Sequence, residues 1–156
     1  MSDAIMSDVK VVPLEPGGFA AVRRRTTFRE LPREIRGWFD LVYAAIRAGY
    51  VPAGGLNVAV YRNSSDTGVD VECGVQVPRA FATVGEVECR AMPVGEAATT
   101  VHWGPYDRLC DAHDRVGAWI RSSGRERADV VWEVYGHWND DPAQVRTDVF
   151  HLLKPR

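Results

Sequence analysis

The sequence predicts one α+β domain, a duplicated βαββ whose two pseudo-twofold-related halves share an antiparallel sheet and two main helices. Three observations predict it. Two stretches carry apolar residues at helical spacing, each is followed by two β-prone runs, and a constant offset of 74 residues superimposes one half on the other. The 156-residue length suits a single domain. Residues 1–8 read as a flexible tail and 9–156 as the domain, with halves at about 9–80 and 81–156.

Val9 to Leu14 is a short β-prone run, closed by the turn chemistry of Glu15-Pro-Gly-Gly18, and Phe19 to Arg25 is a second extended stretch. Ile35, Trp38, Phe39, Val42 and Ile46 then mark one face of a helix. Pro32 suits its first turn and Gly49 its end. Val58 to Tyr61 and Val69 to Val75 follow as strands around a polar turn at 62–68. Phe81 to Glu88 joins the halves without the composition of a flexible linker.

The second half repeats the order. Glu96 to Trp103 is extended, and Leu109, Ala112, His113, Val116 and Ile120 mark a helical face that Gly124 ends. Val130 to Trp138 and Val145 to Leu153 are strands. The offset carries Val42, Ala44, Ile46, Arg47, Val60 and Tyr61 onto Val116, Ala118, Ile120, Arg121, Val134 and Tyr135 without a gap.

Composition narrows the function classes. A net charge of -2, with 46% hydrophobic and 26% charged residues, gives no electrostatic reason for nucleic-acid binding. No apolar run approaches the roughly 20 residues that span a bilayer. Residues 1–10 lack the basic and apolar regions of a signal peptide, so a cytoplasmic protein is expected. Cys73, Cys89 and Cys110 are odd in number and never CxxC, which reads as reduced structural thiols. His102, His113, His137 and His151 show no metal-ligand spacing, and no GxSxG elbow or glycine-rich phosphate loop occurs. No metal and no cofactor are expected; for haem, His102 or His113 are the only axial ligands worth testing.

The mismatches between the halves are informative. Ala59 in the first corresponds to Glu133 in the second, within Val130-Val-Trp-Glu-Val-Tyr135. Strand alternation puts Glu133 on one face with Val131 and Tyr135, and Trp132 and Val134 on the other. A carboxylate in so apolar a strand needs a proton, a cation or hydrogen bonds. Two readings stand side by side. Glu133 either faces water on an edge strand or pairs with an arginine such as Arg146, or it is the acid of a site walled by aromatic rings. Tyr135, Tyr61, Trp38, Phe39, Tyr106, Trp103 and Trp119 are the candidate walls, and core packing is the plain alternative for each Trp on a helical face.

The stretch His102-Trp-Gly-Pro-Tyr106, the amphipathic helix ending near Gly124, Trp132-Glu-Val-Tyr135 and a last strand running into Lys154-Pro155 together resemble the GyrI-like small-molecule-binding superfamily. The resemblance spans most of the chain. It implies a duplicated βαββ with a central ligand pocket at the pseudo-twofold axis, of the kind used as effector-binding domains in AraC-type and MerR-type multidrug regulators and as stand-alone proteins, with Glu133 facing that pocket. Two functions follow from it. One is binding of amphipathic, aromatic or cationic small molecules, with Glu133 as counter-ion. The other is hydrolysis of cyclopropanoid DNA-alkylating natural products, with Glu133 as general acid or base and Tyr135 assisting. A third, a protein-binding module such as a gyrase inhibitor, follows from the family name alone. The expected partner is a small organic ligand, with no direct nucleic-acid and no membrane contact. The short tail before the first strand is not expected to hold a helix-turn-helix, so regulation would need a separate, unnamed protein partner.

Overall fold

A computed structural model describes residues 8–52 and 54–156. The expected tail, residues 1–8, lies outside the described residues except for Asp8, whose carbonyl accepts a bond from Thr100 Oγ1 at 3.4 Å. In chain order the elements are β1 (Lys10–Leu14), β2 (Gly18–Thr26), α1 (Leu31–Arg47), β3 (Asn57–Ser65), β4 (Gly68–Val77), β5 (Glu88–Ala91), β6 (Gly95–Trp103), α2 (Leu109–Ser123), β7 (Arg127–Tyr135) and β8 (Arg146–Leu153). Short 3-10 turns occupy Tyr106–Arg108 and Pro142–Gln144. The fold is α+β, with antiparallel strand pairing and two α-helices among the described residues.

The chain forms two compact units. One, Pro16–Pro93, holds α1 and the strand order β3-β4-β2-β5; the other, residues 8–15 with Val94–Arg156, holds α2 and the order β1-β6-β8-β7. Each contains a βαββ run, β2-α1-β3-β4 or β6-α2-β7-β8, whose last strand pairs between the other two. An extra strand flanks the leading one, β5 beside β2 and β1 beside β6. The two runs therefore share a topology as well as an element order.

Those flanking strands depart from the sequence reading. The run at 9–14 pairs with β6, from Lys10↔Thr99 to Leu14↔Gly95, and so lies in the unit of the second half. Glu88–Ala91, which carried no strand expectation and whose first residue was read as the end of the join between the halves, pairs with β2. An edge strand is recruited by an exposed row of backbone N–H and C=O groups, and chain order does not say which row is near. The strand expected to reach Trp138 ends at Tyr135, where Gly136 N–H bonds Arg146 O at 2.8 Å and Trp138 is exposed.

The helices form where the periodicity places them. α1 has Pro32 in its first turn and buries Trp38 and Val42 against its own sheet, where Phe19, Val22, Val58, Val69 and Val71 are buried. α2 buries Ala112, Val116 and Ile120 in a cluster with Ala98 of β6 and Val149 and Leu153 of β8. Gly124 ends α2 at φ +79, with open space where a Cβ would stand. Only backbone strain opposes a side chain there, so Gly124→Ala should cost on the order of 1 kcal/mol. A fall in Tm of roughly 2–4 °C in a thermal melt checks it, and no fall would mean the left-handed cap is dispensable.

Candidate functional site

The face of the β1-β6-β8-β7 sheet that α2 covers carries the candidate site. On β8 the residues alternate, with Thr147, Val149, His151 and Leu153 buried. On β7, Val131 pairs with His151, Glu133 with Val149 and Tyr135 with Thr147. Directly opposed residues of an antiparallel pair share a face, so His151, Glu133 and Tyr135 all lie on the side that packs α2. From α2, His113 joins them one residue beyond the core position Ala112.

Glu133 is 7% exposed. Its Oε2 lies 2.7 Å from His113 Nε2, and its Oε1 accepts from the Tyr135 hydroxyl at 2.5 Å. His113 Nδ1 lies 2.9 Å from His151 Nε2, and the two imidazoles lie 5.2 Å apart at 31°. Four side chains from three elements thus form one polar chain, His151–His113–Glu133–Tyr135. Burial, followed by His113 and Arg127, lowers the His151 imidazole to about 3, so it is neutral at physiological pH. Both oxygens of the buried carboxylate receive donors, which answers the cost of burying it.

Tyr135 also meets Tyr106, edge to face, with ring centroids 5.7 Å apart. The HWGPY turn positions Tyr106. His102 Nε2 lies 2.8 Å from the Pro105 carbonyl, Gly104 adopts φ +125 and its N–H bonds Val145 O at 2.8 Å. A side chain at Gly104 would be strained at that φ, and the turn delivers Tyr106 to the start of the 3-10 segment. Tyr106 is 47% exposed, so the aromatic pair runs from the buried acid toward solvent.

The opposite face of β7 is packing. Trp132, 1% exposed, stacks on Phe150 of β8 at 5.1 Å and 6°. Arg146 and Asp148 lie on that face too. Arg146 Nε bonds Asp148 Oδ1 at 2.7 Å, and its guanidinium stands 5.6 Å from the centre of the Trp103 ring. The arginine considered as a partner for Glu133 is thus engaged elsewhere, and Glu133 is not a water-facing edge residue. Cys73 is buried, which pushes its thiol up to about 12 and makes it unreactive.

Against this geometry, a family profile described as the GyrI-like small molecule binding domain matches residues 7–154. The chain belongs to the GyrI-like small-molecule-binding domain family. Solved structures agree in fold. The C-terminal domain of EcmrR is 19% identical with a TM-score of 0.78, covering 96% of this chain and 99% of that one. In an EcmrR–DNA complex the TM-score is 0.81 at 17% identity, and the 96% of this chain that aligns covers 58% of that chain. SAV2435, solved bound to tetraphenylphosphonium, is 11% identical with a TM-score of 0.70, covering 94% of each chain. A protein described as a hydrolase from Listeria innocua is 10% identical with a TM-score of 0.60, covering 94% of this chain and 92% of that one. No curated relative matches.

Among the candidate residues of this GyrI-like domain, Glu133, Tyr135 and Tyr106 come together. Trp103 lies on the face away from Glu133, against Arg146, and Trp119 packs on the core cluster of α2. Trp38, Phe39 and Tyr61 belong to the other unit, where Trp38 is buried on α1 and Tyr61 lies 6.4 Å from Phe28. Sequence reasoning missed the roles of His113 and His151. A signal existed for each: His113 stands on the apolar face of α2, and His151 takes a core position in the alternation of β8. Among the described residues no group of three or more His, Cys, Asp or Glu could hold a metal ion. No described helix is long and apolar enough to cross a membrane.

Proposed function

We propose that this GyrI-like domain binds flat or amphipathic aromatic cations, with Glu133 as the acid that meets the positive charge and Tyr135 and Tyr106 as the rings beside it. The observation that carries this reading is the buried carboxylate held by Tyr135 and His113, with Tyr135 in turn edge to face with exposed Tyr106. A carboxylate oriented by neighbouring donors has lost its freedom before the ligand arrives, and in a water-poor place its attraction for a cation is strengthened. Ring faces add cation–π attraction and apolar area. Tetraphenylphosphonium, the ligand of the SAV2435 structure, is the natural probe.

Titration with tetraphenylphosphonium, followed by Trp fluorescence or calorimetry, should give one site per chain. Glu133→Gln keeps the size but removes the charge and turns one of the two acceptor oxygens into a donor. It should weaken binding at least about tenfold, the equivalent of 1.4 kcal/mol. An unchanged Kd in a folded Glu133→Gln protein sinks the assignment.

One observation favours a second reading, hydrolysis of cyclopropanoid alkylating compounds. The chain from His151 to Tyr135 could hold and pass a proton at Glu133 Oε2. Ring opening would form a bond from the water oxygen to a cyclopropane carbon as the ring C–C bond breaks, with the electron pair passing into the dienone, whose oxygen takes the water's proton and becomes a phenol hydroxyl. Sub-stoichiometric protein incubated with such a compound separates the readings by mass spectrometry. Many product molecules per chain mean an enzyme, and a single stoichiometric complex means binding.

A further inference from the structure

We propose that His151 is a positioning residue: from its buried place on β8 it donates Nε2–H to His113 Nδ1, and so fixes His113 as a neutral donor whose Nε2–H points at Glu133. The contact between His113 and Glu133 is then a hydrogen bond and not a histidinium–carboxylate ion pair. In its bearing on ligand binding, the inference rests on the reading of Glu133 as the binding acid.

The donor and acceptor inventory carries the argument. A single proton lies between His113 Nδ1 and His151 Nε2, 2.9 Å apart, because one of them must donate and the other accept. With His151 donating, three donors, His151 Nε2–H, His113 Nε2–H and Tyr135 O–H, meet three acceptors, His113 Nδ1, Glu133 Oε2 and Glu133 Oε1. Within the two imidazoles the atom without a partner is His151 Nδ1, buried and with no hydrogen-bond partner among the described residues. In this arrangement it is a bare lone pair.

Reversing the first bond changes two things. His151 would have to carry its proton on Nδ1, turning the leftover atom into a buried, unanswered N–H, which proteins tolerate less than an unanswered acceptor. His113, donating from both nitrogens, would become a cation 2.7 Å from the carboxylate. His151 itself resists a second proton, being 2% exposed, with burial, His113 and Arg127 all lowering its affinity for one. The consequence is specific: His113 orients the carboxylate while adding no positive charge that would compete with a cationic ligand.

Long-range 1H–15N correlation spectra of the native protein at pH 7 assign the ring protons directly. The expected pattern is a proton on Nε2 of both His113 and His151 and none on either Nδ1. A proton on His113 Nδ1 overturns the proposal. A pair of variants, each first checked by circular dichroism for a native fold, tests the consequence. His151→Leu fills the space without a donor, and should weaken tetraphenylphosphonium binding about fivefold, the equivalent of one hydrogen bond. His151→Gln returns an amide N–H near the original Nε2 and should recover most of the loss. Native affinity in His151→Leu, or equal loss in both variants, overturns the positioning role. If the native protein does not bind tetraphenylphosphonium, the reading of Glu133 fails, and the ring spectra alone decide on His151.

Discussion

Replacing Trp132 with alanine should destabilise the protein by about 3–5 kcal/mol, the usual cost of truncating a large buried aromatic. Trp132 is 1% exposed, and its ring lies nearly parallel to Phe150 at 5.1 Å, so truncation loses burial and stacking and leaves a cavity. Trp138, three residues past the end of β7 and 70% exposed, is the control. Its alanine variant should lie within about 0.5 kcal/mol of the native protein. Urea unfolding followed by circular dichroism measures both. A Trp132→Ala loss below about 1 kcal/mol would mean that the two faces of β7 do not divide as described. The effect reaches the site, because Trp132 anchors the strand from which Glu133 projects on the opposite face.

Lowering the pH from 6.5 to about 4.5 should remove roughly 2–3 kcal/mol of stability through His151 alone. In the folded protein its imidazole takes a proton only near pH 3, whereas in the unfolded chain it does so near its ordinary value of 6.5. Between those values the unfolded state binds a proton that the folded state refuses. Stability is therefore complete above 6.5 and declines as pH falls, at up to about 1.4 kcal/mol per pH unit. Asp70, held below the usual carboxylate range by bonds from Asn63 and Arg25, and Asp111, held there by Arg108, act in the same direction only at lower pH. Above pH 4.5 these two aspartates therefore contribute little. Urea midpoints at a series of pH values should slope in the native protein and flatten in His151→Leu. An identical slope in both would place the acid sensitivity elsewhere.

Much of the fold was legible because its signals are local. The helical faces of α1 and α2, the alternation along β7 and β8, and the turn glycines are short-range consequences of backbone geometry. The pairing of Glu133 with Tyr135 on one face was legible for the same reason, since they are two residues apart on a strand. The pairing of β1 with β6 was not, because the partners are separated by about the whole of the other unit. Nor were the partners of the acid. His113 bonds Glu133 across 20 residues and His151 across 38, and nothing in either neighbourhood names the other.

By itself the sequence determined the α+β class, the repeated βαββ order, the break between Ala59 and Glu133 at matching positions, and the face that Glu133 shares with Tyr135. Periodicity and offset decide these, because they depend only on residues close along the chain or on comparison of one half with the other. Tertiary structure alone decided that Glu133 meets two histidines in series and not Arg146, and that Trp119 packs with the core while Tyr106 faces the acid's tyrosine. The reason is physical. A buried carboxylate takes whichever donors folding brings within about 3 Å, and that choice is made by packing α2 on its sheet, not by any residue beside Glu133 in the chain.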